Sequence, residues 1–512
     1  MVNHKGKSSP HSKRSARPKK AKKVVVPADM VNHKGKSSSH SKRSARPQKA
    51  KKVVVSDDLR IRHPHGAGID VHSREHWVAV PASCAPVRPK DHPVHLPAHV
   101  RQFGTCTADL ELLADWLTEC GITTVAMEST GVYWVPLFEL LERRGFEVIL
   151  VDPRQTRQVS GRPKTDILDC QWIQRLHSYG LLAPSFRPSD EVCVLRGYLR
   201  QRQMLIGNAA RSIQHMQKAL EQMNIKLTEA VSDVTGVTGM LILKAILRGE
   251  RDPKRLAKYR HENCKRTEEQ IARALQGNWR EEHLFALKQA VKAYEFERRQ
   301  LKECDAAIEN YLKTMEDKSG GEVLEPKPTK GKKTAATAPQ FDARNLLFQV
   351  SGKDLTLIEG IEQSSALTIL SEIGFDMSKW ATEKHFTSWL GLCPQHRGSA
   401  GKIKNRRLRG GANRAARALR MAAQGCHHAK NAMGAFYRRV QARAGGAKAL
   451  VATARKIAER VYRLLKYGEN YVRQAMNDYE NAYRIKLTKG LAKKAAELGY
   501  KLVPNAEAAS TV

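Results

Sequence analysis

The chain contains no C-x-x-C pair, and its nine cysteines are scattered over 512 residues. That scatter argues against a zinc site or a disulfide framework and fits a reducing compartment. No apolar run approaches the roughly 20 residues that a membrane-spanning helix needs. The charged start offers no apolar core for a secretory signal. Acid is scarce as well: 51 Asp and Glu stand against 89 Lys and Arg, for a formal net charge of +38. Such an excess calls for a polyanionic partner, whose bound counterions are released on association. A lipid surface is the competing polyanion, but without a spanning run nucleic acid is the better reading. A cytoplasmic, nucleoid-associated protein with no membrane partner is expected.

What is present begins with a repeat. MVNHKGKSSPHSKRSARPKKAKKVVVPAD returns from Met30 as MVNHKGKSSSHSKRSARPQKAKKVVVSDD. Dense Lys and Arg with little apolar content predict a disordered basic arm over 1–58. It has either a dedicated role or merely non-specific DNA affinity.

Residues 59–190 change to an α/β pattern. GAGIDVHSREHWVAVPA reads as two strands around a polar turn, and HVRQFGTCT as a third. ADLELLADWLTECG is an amphipathic helix ending at Gly121, TTVAMEST a buried strand, VYWVPLFELLERRG a helix and FEVILVDP another strand. Thr165 is read as the N-cap of DILDCQWIQRLHSYGLL. The order βββαβαβα is that of an RNase H-like (RuvC-like) fold. The predicted class is therefore α/β plus α.

Residues 191–318 read as a helical, coiled-coil segment. Leu287, Val291, Tyr294, Leu301, Ile308 and Leu312 fall on a heptad that Arg298 and Asp305 interrupt. A helical hairpin, a dimeric coiled coil and an ordinary amphipathic helix all fit. A Gly/Pro/Lys-rich linker over 319–345 follows. A mostly helical domain over 346–475 opens with LTLIEGIEQSSALTILSEIG, read as a helix–Gly turn–helix that resembles a helix-hairpin-helix DNA-backbone binder. Residues 476–512 are a basic tail.

Four acids lie at the edges of apolar runs: Asp70, Glu128, Asp166 and Asp169. In the predicted order Asp70 lies on the first strand, Glu128 ends the fourth, and Asp166 and Asp169 share a face of the closing helix. Each alone has a bland role as turn residue, cap or dipole partner. Gathered, they make an oxygen-rich site suited to Mg²⁺ or Mn²⁺ and to metal-assisted phosphodiester chemistry.

A second constellation is GLCPQHRGSAGKIKNRRLRGGANRAARALRMAA. Ser399 sits among small residues and the cations Arg397, Lys402, Lys404, Arg406 and Arg407. Small neighbours let a phosphate approach the backbone, and the cations neutralise it. Local sequence leaves two readings open: a flexible basic loop that only binds phosphate, or a loop carrying a nucleophile.

These stretches, taken with SDVTGVTGMLILKAILRGERDP and in this order, resemble the DEDD transposases of the family typified by insertion sequence one-ten, which includes Piv-type invertases. The resemblance runs from about Gly66 to Tyr471 and excludes the duplicated arm. It implies a RuvC-like domain whose acids Asp70, Glu128, Asp166 and Asp169 hold Mg²⁺. It also implies a coiled-coil segment and a transposase domain in which Ser399 becomes covalently linked to DNA. The partners implied are DNA at the element ends and target, a non-coding bridge RNA that pairs with both, and further copies of the chain as dimer or tetramer. Many relatives read S-S-G-G where this chain has Gly398-Ser399-Ala400-Gly401, so one hydroxyl is missing beside the nucleophile.

The leading expectation is an RNA-guided DNA transposase or recombinase. A hydrolytic RuvC-like nuclease or junction resolvase needs the acids but not Ser399. A non-catalytic nucleic-acid-binding protein needs neither.

Overall fold

The structure is a computed structural model that describes residues 60–86, 96–156, 165–326, 337–394, 397–399, 402–405, 408 and 413–503. The duplicated arm therefore lies outside the described residues, as do 327–336 within the linker. The described residues fall into two compact units. Among the described residues one comprises those up to Val125, Arg144–Phe146 and those from 165 to Leu182, and the other Ala126–Arg143, those from Glu147 to Thr156 and those from Ala183 onward.

From Gly66 to Ser178 the order is β1 (Gly66–Val71), β2 (Glu75–Ala79), β3 (Val100–Gly104), α1 (Thr107–Glu119), β4 (Thr124–Glu128), α2 (Trp134–Arg143), β5 (Glu147–Val151), α3 (Pro153–Thr156) and α4 (Asp166–Ser178). The strands form a five-stranded sheet in the order β3-β2-β1-β4-β5. Every strand and helix expected here is present, with the single turn of α3 added. The mixed α/β class holds for this part.

In the first unit β1 pairs antiparallel with β2, and β2 with β3, so that Asp70 faces Trp77 and His76 faces both Val71 and Phe103. All six residues of β1 are buried, because α4 covers it. Gly68 permits that close packing. A Cβ there would stand 2.1 Å from the Gln174 nitrogen and 2.6 Å from the Cys170 carbonyl oxygen. Cys170 and Ile167 of α4 pack with Ala79 and Val100. Gly121 closes α1 with a φ of +64°, a conformation open to glycine at little cost.

The second unit is mostly helical. Its first part has α5 (Asp190–Gln222), α6 (Leu227–Ala230), α7 (Val237–Leu247), α8 (Pro253–Ala257), α9 (Glu268–Ala274) and α10 (Glu281–Thr314). Tyr311 bonds the Glu191 carbonyl, Cys304 that of Tyr198, and Asp305 pairs with Arg202. The first half of α5 meets the second half of α10, and its last turns, with Met216 and Leu220, meet the first turns of α10, with Leu284 and Leu287, so the two helices run antiparallel within the chain. The heptad interruption at Asp305 has a physical reason. Its carboxylate is 3% exposed and meets the buried guanidinium of Arg202 at 2.5 Å. Asp305 also accepts from the Gln340 backbone.

The pair feeds two separate cores. Leu284, Leu287 and Val291 join Met216 and Leu220 with α6–α9, whereas Leu301, Ile308 and Leu312 join Leu195 and Leu205. The latter core takes in α11 (Ala343–Ser351), α12 (Gln363–Ile373), α13 (Glu383–Trp389) and, after a hairpin of β6 (Arg397–Ser399) and β7 (Lys402–Asn405), α14 (Arg414–Gly425). It is completed by α15 (Ala432–Ala444) and α16 (Gly446–Tyr467), after which α17 (Glu469–Glu497) runs on. The first arm of the expected helix–Gly turn–helix is only a 3-10 turn over Leu355–Leu357. Asp354 accepts from both the Thr356 amide and its hydroxyl, and extended Ile358 ends the turn before Gly360.

Candidate metal centre

Asp70 is the fifth residue of β1 and is 7% exposed. Strand alternation puts His72, two residues on, over the same face. On α4 the N-cap is Thr165, whose hydroxyl oxygen accepts from the Leu168 amide. The cap fixes the first turn, and with it Asp166 and Asp169. The covered strand and the capped helix then bring three side chains together. His72 Nε2 lies 3.1 Å from Asp70 Oδ2 and 3.4 Å from Asp166 Oδ1. One ligand atom from each of Asp70, His72 and Asp166 falls within 4.8 Å of the others.

Two carboxylates held this close to one another repel unless a cation or a proton lies between them. Two carboxylate oxygens and one imidazole nitrogen fit a divalent ion, with the nitrogen suiting Mn²⁺ better than Mg²⁺. His72 is an addition to the expected set. On sequence alone it reads as a neighbour of a turn, and the signal for it is its i, i+2 spacing from Asp70.

The remaining expected residues stand outside this group of three. Asp169 is half-buried in the first turn of α4. Glu128 ends β4 in the second unit, where the Thr156 hydroxyl donates to Oε1 and Ser129 bonds the Val151 carbonyl through both amide and hydroxyl. Ser399 is the last residue of β6 and pairs with Lys402 across the hairpin. Arg397 there pairs with Asn405, with a register irregularity after it. Lys404 lies in β7, and Arg406 and Arg407 lie outside the described residues. The segment read as a loop is thus a short antiparallel hairpin, at least over its described backbone.

Two buried histidines flank this scaffold. Burial lowers His76 from the usual 6.5 to about 4, with a further push from His72. Burial, with His63 beside it, lowers His177 likewise to about 4. His177 stacks on His63 at 4.6 Å and lies 3.1 Å from the Thr124 hydroxyl.

Two family models match the chain. Residues 67–225, which contain Asp70, His72, Glu128, Asp166 and Asp169, match the IS110-type DEDD model described as transposase. Residues 352–438, which contain Ser399 and α14, match the transposase family IS116/IS110/IS902. No curated protein matches the chain. No described helix is long and apolar enough to cross a membrane. By both matches the chain resembles the IS110-family DEDD transposases.

Proposed function

We propose that the chain is a transposase that excises and inserts a mobile element, guided by an element-encoded bridge RNA, and that it uses acid-held Mg²⁺ or Mn²⁺ and Ser399 as nucleophile. The observation that carries the reading is the convergence of Asp70, His72 and Asp166 inside the span of the DEDD family match. The strand order β3-β2-β1-β4-β5, with helices between the later strands, supports an RNase H-like fold for 59–190. Glu128 and Asp169 complete the acidic set in this reading, and the site operates in the cytoplasm in a dimer or tetramer.

A divalent ion bound there would draw charge from the phosphodiester oxygens as it develops. The chain supplies the rest. Asp70, Asp166 and His72 would hold that ion at a fixed position, each through one ligand atom. Ser399 Oγ forms a bond to phosphorus as the ester bond to the neighbouring deoxyribose oxygen breaks. The serine proton leaves to a base, and the displaced oxygen takes up a proton, from that conjugate acid or from water, and departs as a hydroxyl. Because an ester replaces an ester, the reverse attack by another strand's hydroxyl rejoins DNA without ATP. Arg397, Lys402, Lys404, Arg406 and Arg407 neutralise the phosphates around it.

The test uses full-length protein, Mg²⁺, cognate RNA and a nicked DNA substrate. A protein–DNA adduct should survive denaturing electrophoresis and disappear in Ser399→Ala. Cleavage that persists in Ser399→Ala without any adduct would favour the hydrolytic nuclease instead.

A further inference from the structure

From Lys384 to Ala458 the chain carries no Asp or Glu, while Lys and Arg recur throughout. Helix α14 stands inside this stretch, and its two faces differ sharply. Ala415, Ala416, Leu419, Ala422 and Ala423 are buried and let it pack closely on α12 and α16. Asn413 caps it, accepting from the Ala416 amide at 3.0 Å. The outer face presents Arg414, Arg417, Met421 and Gln424, all exposed, with half-buried Arg420 at its margin. Their spacing of i, i+3, i+7 and i+10 gathers the four into one narrow stripe.

A solvated helix face usually mixes signs, and this molecule does so elsewhere. Lys313 pairs with Glu309 on α10, and Lys244 of α7 with Glu295. The arginines of α16 are likewise matched, Arg455 by Glu459, Arg460 by Glu359 and Arg463 by Glu383. The stripe on α14 carries one sign only. Met421, 62% exposed at its centre, is a flexible apolar group that gains from covering by sugar or base edges.

We propose that α14 docks in the major groove of duplex DNA, with Arg414, Arg417 and Arg420 on backbone phosphates and Met421 and Gln424 towards the groove floor. This rests on the transposase reading for its partner and names the element that meets the duplex. The groove of B-form DNA, about 12 Å wide, admits an α-helix, whereas the deep major groove of A-form RNA does not. Each arginine can neutralise one phosphate, and such pairing fixes register rather than sequence.

The experiment measures full-chain binding to a labelled duplex of about three helical turns as salt is varied. In the triple variant Arg414→Ala/Arg417→Ala/Arg420→Ala the slope of log K against log salt should flatten by up to about 2.7, near 0.9 for each phosphate that is no longer neutralised. Lysine at the same three positions should restore most of the slope, and Lys489→Ala/Lys493→Ala/Lys494→Ala in exposed α17 should leave it unchanged. Melting curves of all variants should coincide with the wild type. An unchanged slope in the α14 variant would overturn the proposal. So would an equal fall in the α17 variant, or an equal loss on duplex RNA. A wild type that forms the Ser399 adduct while the α14 variant keeps its slope fails this proposal alone. A reduced slope in a protein that forms no adduct supports the docking helix and fails the recombination reading alone.

Discussion

The acid cluster around Asp70 and the cationic stripe of α14 are built in opposite ways. Asp70 sits in a strand buried along its whole length, under a helix that touches it closely enough to require Gly68. Arg414 and Arg417 stand in solvent on a helix whose inner face is mainly alanine. The first arrangement devotes packing to geometry: a carboxylate must be held where a cation can bridge it to another. The second needs only a rigid rod with charge on its outside, because attraction to phosphate is long-ranged and tolerant of side-chain motion. Disturbing the first should therefore cost stability and chemistry together. Disturbing the second should cost affinity alone, and only at low salt.

Gly68→Ala should break the first region most severely. Its methyl would overlap the Gln174 nitrogen and the Cys170 carbonyl, so α4 must move off β1 and carry Asp166 away from Asp70. Overpacking against backbone should lower stability by about 1–3 kcal/mol, at the upper end here, readable by urea denaturation. The variant should also lose the stabilisation that divalent ion gives the wild type. A variant as stable as the wild type would show that α4 does not lie against β1 as described.

A smaller effect separates the regions by pH. His177 belongs to the packed one, and burial lowers it from 6.5 to about 4. As pH falls, the unfolded chain takes up this proton first, so the stabilisation is complete above about pH 6.5. It should be lost progressively between there and about pH 4. His177→Gln, which keeps a polar group for Thr124, should flatten the stability profile over that window. A profile no flatter than the wild type's would contradict a neutral buried imidazole.

Much of the packed region is legible in sequence because its signals are local. Alternation in GAGIDV and EHWVA marks two strands, and Thr165 ahead of Asp166 marks a helix start that the cap bond bears out. What is not legible depends on partners far away in the chain. Asp305 reads as a flaw in a heptad because Arg202, which satisfies it, lies 103 residues earlier. His72 escapes a sequence reading because its tie to Asp166 spans a whole sheet and helix. The helix expected at Leu355 gives way to a 3-10 turn because Asp354 binds the Thr356 backbone locally and competes with a helical turn. The role of the α14 stripe needs both kinds of information: the acid-free stretch is visible in sequence, but only the fold shows which arginines face outward.

The central claim is that Asp70, His72 and Asp166 form one divalent-cation site, and thermal unfolding with and without Mn²⁺ tests it most directly. At a concentration 100-fold above Kd, a ligand specific to the folded state should stabilise it by about 2.7 kcal/mol. The wild type should therefore show a clear rise in Tm with Mn²⁺, the Asp166→Ala protein little or none, and His72→Ala an intermediate rise. Equal rises in wild type and Asp166→Ala would contradict a shared site at these residues.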